Sequence, residues 1–351
     1  MEPVTHLLFG ACLSRAGLNR KTGLATLTLA ISAEAADVDV VSYFRDSVSG
    51  LQHHRGFTHS FAGAPLVAAL TLAGVYAVYR TMHMRGWKPK LPPKWKLLYL
   101  YALIGALCHI LLDFTNSYGV RPFEPVKYKW YSWDILFIVD PLVLALLVFA
   151  LVAPALLSLV SDEIGARKPL FRGRGVAIFS LCSVIALVAL RDFEHRRAVN
   201  ALEALTFHDE VPLHVSAFAT MWNPFLWNGV VETQDFLEAV TVDSGRGEVD
   251  PENNALYRHK PEETAVTLAA KKTRLGRVYL DWAQYPYVEA ERLPENQGFK
   301  VRFQDWRFMN SSIGGGRSSP PLSGYVELAP DLSVLDMYIG ERDEVKSKRA
   351  R

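Results

Sequence analysis

Hydrophobic positions along this chain follow two regimes. Up to about residue 190 they gather into long apolar runs, at 61–79, 97–112, 141–160 and 176–190. Such runs predict membrane-spanning helices, for which roughly 20 apolar residues are needed, although the second and fourth fall short of that length. Two shorter apolar runs precede them, at 4–13 and 23–36, with Arg15, Arg20 and Lys21 between. These predict a helical hairpin that is buried or re-entrant instead of spanning. Beyond about residue 195 the runs become short and alternating, at 229–233, 278–282, 300–303 and 324–328, separated by Pro, Gly and Asn clusters. That period predicts strands. The expected architecture is a mainly α polytopic membrane domain (1–194), a β-rich soluble domain (195–345) containing a Gly/Ser-rich loop at 311–321, and a basic tail (346–351).

Composition agrees with a mixed chain. Half of the 351 residues are hydrophobic, yet mean hydropathy is only +0.09, as an apolar and a water-exposed part would average. The 38 basic and 36 acidic residues leave a net charge of +2, which gives no basis for nucleic-acid binding. Cys12, Cys108 and Cys182 lie singly in apolar runs and read as small core residues, without disulfide or ligand spacing. Residues 1–9 lack the pattern of a cleaved signal peptide, so insertion by the internal spans is expected.

Charge placement predicts orientation. Arg80, Arg85, Lys88, Lys90, Lys94 and Lys96 lie between the first two spans, and Arg167, Lys168, Arg172 and Arg174 follow the third. The positive-inside rule places both loops in the cytoplasm of a multi-pass inner-membrane protein. Residues 53–59, 113–140 and the β-rich domain are then expected on the extracytoplasmic side, against which Arg121, Lys127, Lys129, Arg191, Arg196 and Arg197 weaken the contrast.

Ionisable residues cluster at the ends of the apolar helices, where they are costly unless they face a polar cavity or a metal. His109 and Asp113, spaced i,i+4, share one helical face and can bind one Zn²⁺, or simply hydrogen bond at a helix end. Asp37 and Asp39 close an apolar helix, where the macrodipole disfavours negative charge and a cation would compensate; an ordinary solvated turn is the alternative. If that segment is helical the two carboxylates diverge and only one is a ligand. In "HHRGFTHS" (53–60), Gly56 permits a tight turn, Thr58 is an expected N-cap, and His59 falls in the first helical turn. Arg55 beside exposed amides suits a phosphate, or snorkels to the headgroups. With His6 these residues fall on one predicted side of the membrane.

His6, "DVD" (37–39), "HRGFTHS" (54–60) and "HILLDFTNSYG" (109–119) together resemble the membrane-bound metal-dependent hydrolase family, inner-membrane proteins also described as LexA-binding. The likeness covers roughly residues 1–190. More distantly, the order of His, Asp, His and HxxxD is similar to zinc-dependent phospholipase C and related single-strand nucleases. This resemblance implies a zinc phospholipase C-like helical fold, with His6, Asp37 or Asp39, His59, His109 and Asp113 as ligands and Asp113 as a bridge between ions. The chain departs from it at Met1-Glu2, where that fold uses the amino terminus of a processed Trp. Downstream, only Asp134 and Asp140, with the more remote His195, stand in for a second ligand set, so one or two ions are expected in place of three.

The resulting expectation is a hydrolase using Zn²⁺ or another divalent ion to activate water against a phosphoester or lipid-linked substrate. Asp37 or Asp39 would serve as general base where not a ligand, and Arg55 would stabilise phosphate charge. His54, Asp134 and Asp140 are expected behind the ligands or as alternates. The rival is a membrane scaffold with a structural metal, whose β-rich domain binds a protein partner. The aromatic stretch "WNPFLWNGV" (222–230) is either its recognition surface or sheet core. An ion transporter fits less well, since the polar residues sit at helix ends.

Overall fold

Apolar stripes and close helix approaches define a first unit, Met1–Asp39, Arg55–Phe193 and Met221–Pro224, in a computed structural model. The structure describes residues 1–163, 173–250, 254–294, 297–309 and 320–340. Arg167, Lys168, Arg172, positions 311–319 of the Gly/Ser-rich loop and the 346–351 tail lie outside the described residues. The second unit comprises Val40–His54, Glu194–Thr220 and Phe225–Arg351.

The N-terminal hairpin consists of α1 (Pro3–Arg15) and α2 (Ala25–Ser32). Glu2 caps α1 through the Val4 and Thr5 amides, with Pro3 in the first turn where no amide partner is lost. Gly10 lets the two helices close: a Cβ there would stand 2.4 Å from the Leu29 carbonyl oxygen. Helices α4 (Ala64–Met84) and α5 (Trp95–Phe114) follow. On α5 the buried positions run Leu98, Tyr101, Ala102, Gly105, Ala106, His109 and Asp113, a continuous i,i+3/i+4 stripe. Its small residues admit α2, and Ser32 Oγ donates to the Ala102 carbonyl.

Among the described residues, three helices are long and apolar enough to cross a membrane: α4, α5 and α7 (Arg174–Glu203). Pro141–Leu156, the start of α6 (Pro141–Glu163), is a shorter apolar helix. Leu66, Leu70, Leu100, Leu111, Phe149, Phe179 and Ile185 are exposed along these helices, as lipid-facing residues would be. Pro154 has no amide to give the Ala150 carbonyl. Arg15 reaches that carbonyl at 3.4 Å and the Leu151 carbonyl at 2.8 Å.

The second unit carries two antiparallel sheets. In the first, β1 (His214–Ala219), β2 (Leu226–Glu232), β3 (Phe236–Asp243) and β4 (Glu248–Val249) pair in order, and β5 (Leu256–His259) also pairs with β3. In the second, β6 (Pro286–Arg292), β7 (Phe299–Asp305), β8 (Gly324–Leu328) and β9 (Val334–Ile339) form a meander. Phe218, Val230, Leu237, Tyr285, Tyr287 and Trp306 form a core joining residues of both sheets. The aromatic stretch divides: Trp227 is fully buried, whereas Trp222 and Phe225 are exposed.

One expected strand is a helix. Residues 278–282 lie in α9 (Arg274–Trp282), which follows α8 (Ala265–Lys271). Thr273 caps α9 by accepting from the Gly276 amide, and Leu275, Tyr279 and Trp282 bury one face. The alternation in "VYLDW" is too short a window to separate a strand from that helical period. Arg274 also contacts Asp46 at 3.3 Å, Ser49 at 2.6 Å and Gln52 at 3.2 Å. These residues belong to α3 (Ser47–His53) and its cap, so the excursion between Asp39 and Arg55 folds with the β-rich unit.

Candidate metal centre

The buried stripe of α5 ends in His109 and Asp113, both fully buried. His109 Nδ1 lies 2.6 Å from the Ala33 carbonyl oxygen at the end of α2, an acceptor that fixes the ring proton on Nδ1. His59 belongs to the 3-10 turn Phe57–His59, and its Nδ1 lies 3.1 Å from both Thr58 Oγ1 and Asp39 Oδ2. Its proton is therefore also held on Nδ1. The two Nε2 atoms face each other at 2.9 Å as lone pairs. For either to donate to the other, that ring would have to be cationic.

Two carboxylates complete the cluster. Asp37 Oδ1 lies 3.1 Å from His59 Nε2 and 3.6 Å from His109 Nε2, and Asp113 Oδ2 lies at 3.3 and 3.5 Å. One ligand atom from each of the four residues falls within 4.8 Å of the others. Asp113 Oδ2 is buried without a hydrogen-bond partner. Converging lone pairs around an unsatisfied carboxylate oxygen are unfavourable unless a cation lies among them, and two imidazoles with two carboxylates suit zinc or a similar divalent ion.

The 3-10 segment Ala35–Phe44 explains the separate fates of Asp37 and Asp39. Asp37 meets the Nε2 edge of His59, and Asp39 its Nδ1 edge. Asp39 Oδ2 also accepts from the Arg55 amide at 2.9 Å and Thr58 Oγ1 at 2.7 Å. It orients His59 and is not in the four-residue cluster.

Two expectations about 53–60 need correction. Thr58 does not cap α4, which begins five residues after His59 behind Gly63; the Thr58 hydroxyl is spent on Asp39. The left-handed backbone falls on Arg55 (φ 58) and not on Gly56. Arg55 is buried, with Nη2 3.1 Å from Asp113 Oδ1 and Nη1 3.0 Å from Asn116 Oδ1, and its guanidinium is 4.7 Å from the Tyr118 ring centre. It is built into the protein beside Asp113, where neither a headgroup-snorkelling nor an open phosphate-binding posture would put it.

His6 reaches the other edge of Asp113, with Nε2 3.3 Å from Oδ1, and stacks on His109 at 3.9 Å. Burial, with His109 second, keeps its pKa well below the ordinary value, so the ring is neutral. The Met1 amino nitrogen lies against the same Oδ1.

Asp134, Asp140 and His195 are not among the grouped donors. Asp140 caps α6 through the Leu142 and Val143 amides and pairs at 3.0 Å with the buried Arg191. Asp134 has left-handed backbone (φ 62) in the segment before α6 and is not among the four grouped donors. His54 caps α3 in the second unit, and the His195 ring packs 5.3 Å from Trp227 there. Sequence reasoning did not single out Asn116 and Tyr118, which hold Arg55, or Glu34. Burial, reinforced by Asp37, pushes the Glu34 carboxyl up to about 8.

Residues 1–198, more than half of the chain, match the family described as YdjM inner membrane protein. The chain belongs to the YdjM family. This membership and the apolar helices make it an inner-membrane protein. All four clustered donors lie in the YdjM match, and the β-sheets lie beyond it. The chain is also similar to "Uncharacterized protein YfhP" of Bacillus subtilis (strain 168), with 23% identity over 154 residues. That alignment covers 41% of this chain and 43% of the relative, so less than half of the relative's length is spanned. No solved structure matches.

Proposed function

We propose that the YdjM-family domain binds one divalent cation, zinc or an ion of similar preference, through Asp37, His59, His109 and Asp113, and hydrolyses a phosphoester carried by a lipid or lipid-linked substrate. The observation that carries this reading is the pair of imidazole Nε2 atoms 2.9 Å apart beside the unpartnered Asp113 Oδ2. The ion, when bound, would supply a water of pKa near ~7 and polarise a phosphoryl oxygen. Asp39 and Thr58 orient His59, and the Ala33 carbonyl orients His109. Arg55 balances the buried charge of Asp113 and positions it. With Arg55 on Asp113 Oδ1, one ion is favoured over a pair bridged by that carboxylate. In the metal-free protein, burial and the neighbouring Asp37 raise the Glu34 carboxyl to about 8. The ligand order also fits the resemblance to zinc phospholipase C, which rests on these residues alone.

The site is at the end of the α4–α5 pair opposite Arg85, Lys88, Lys90 and Lys94. The positive-inside rule then favours an extracytoplasmic site. One observation favours the scaffold reading: four protein donors can fill the tetrahedral shell of a structural zinc. In that case the β-rich unit would carry the partner-binding role. Metal analysis of detergent-purified protein, combined with hydrolysis assays on phosphodiesters and phospholipids, separates the two. Bound metal with turnover lost in His59→Ala supports the hydrolase, bound metal without turnover supports the scaffold, and wild type without metal contradicts both.

A further inference from the structure

The turn that supplies His59 has an unusual outer face. His59 is fully buried, while its neighbours Phe57 and Phe61 are exposed. The Phe61 amide donates to the Pro122 carbonyl at 2.9 Å, and the Phe61 ring meets Phe123 edge-on at 5.7 Å. Phe123 continues to Tyr131 at 5.4 Å. Between them the chain turns outward, where Val126 is 92% exposed and Tyr128 57%. Lys127 and Lys129 are exposed on the same turn and lie 5.9 and 5.7 Å from the Tyr131 ring centre. The result is an apolar collar with a basic rim beside the metal centre.

Its level is set by the helices it joins. Ala64 and Val67 at the start of α4 pack with Ala106 and Ile110 near the end of α5, so residues 57–61 and the segment after Phe114 emerge at one end of a membrane-crossing pair. Exposed aromatic and aliphatic tips interleaved with lysines are costly in water and suited to the headgroup boundary, where rings enter the interface and ammonium groups meet lipid phosphates.

We propose that this collar is seated in the headgroup layer and holds an anionic phospholipid, so that the substrate class of the adjacent centre is an anionic lipid of the same leaflet. Its second half rests on the hydrolase reading; the lipid contact itself does not. Charge complementarity and continuity with α4 and α5 select lipid over a protein partner.

Native mass spectrometry of the delipidated full-length chain, offered phosphatidylglycerol or phosphatidylcholine, tests it. Wild type is expected to retain phosphatidylglycerol preferentially, and K127Q/K129Q to lose roughly ten- to thirty-fold of that preference at unchanged metal content and unfolding midpoint. Should the double variant not fold, K129Q alone is expected to lose roughly three- to six-fold. K88Q/K90Q, altered at the opposite end of α4 and α5, should keep the preference. Equal retention of both lipids by wild type, or undiminished preference in the folded lysine variants, would overturn the proposal. A wild type without metal that still prefers the anionic lipid would instead remove the hydrolase reading and leave the lipid contact standing.

Discussion

His59 is held from both edges, and its two carboxylates have different tasks. Asp39→Ala is expected to weaken metal binding by roughly 10- to 100-fold, through loss of ring orientation, while retaining the four donors. Competition titration with a chromophoric chelator measures this, and an unchanged affinity would show that Asp39 has no such role. Glu34 gives a pH signature in metal-free protein. Its folded pKa of about 8 lies above the ordinary carboxyl value of 4.5, so the folded state binds the extra proton between those values. Stability is therefore present below about 4.5 and lost as pH rises toward about 8, with the sign set by the greater proton binding of the folded state. Thermal unfolding from pH 5 to 8 should show the loss in wild type and a flatter profile in Glu34→Gln. The four clustered donors were visible in sequence because titratable groups at apolar helix ends are conspicuous. The separate tasks of Asp37 and Asp39 were not, since they depend on how the 3-10 segment turns each carboxylate to a different edge of one ring. How Arg55 is enclosed was not legible for a similar reason: nothing local indicates that Asn116, the Gly119 carbonyl and Asp113 surround it.

Helix packing brings these side chains together. Gly10 is a point of close approach between α1, which carries His6, and α2, which carries the Ala33 acceptor at its C-terminus. Gly10→Ala places a Cβ against the Leu29 carbonyl and is expected to cost about 1–3 kcal/mol, read from the unfolding midpoint in detergent. A midpoint equal to wild type would mean that the hairpin is looser than described. Long apolar runs identified α4 and α5 because length and hydropathy dominate there. Their ends did not follow: the run from 61 suggested a helix already at His59, whereas the 3-10 turn and Ser60–Gly63 intervene before α4. The "VYLDW" stretch failed in the opposite sense, because its cap at Thr273 lay outside the window that looked like a strand.

At the scale of the whole molecule, an apolar helical unit of the YdjM family is joined to a β-rich unit that also takes in Val40–His54. This long-range membership was not visible in sequence, because Arg274 and its partners Asp46, Ser49 and Gln52 are more than 200 positions apart. Orientation can be tested with cysteines placed at Lys88 and Lys127 in a chain whose Cys12, Cys108 and Cys182 are replaced by Ser. A membrane-impermeant thiol reagent added to intact cells should label position 127 directly and position 88 only after permeabilisation; the reverse pattern would invert the assignment. The most direct measurement is the metal content of the purified full-length chain, by elemental mass spectrometry, for wild type beside His59→Ala and Asp113→Asn. We expect about one divalent ion per wild-type chain and little in either variant. A wild type without bound metal, or variants that keep it in full, would contradict a metal centre built from Asp37, His59, His109 and Asp113.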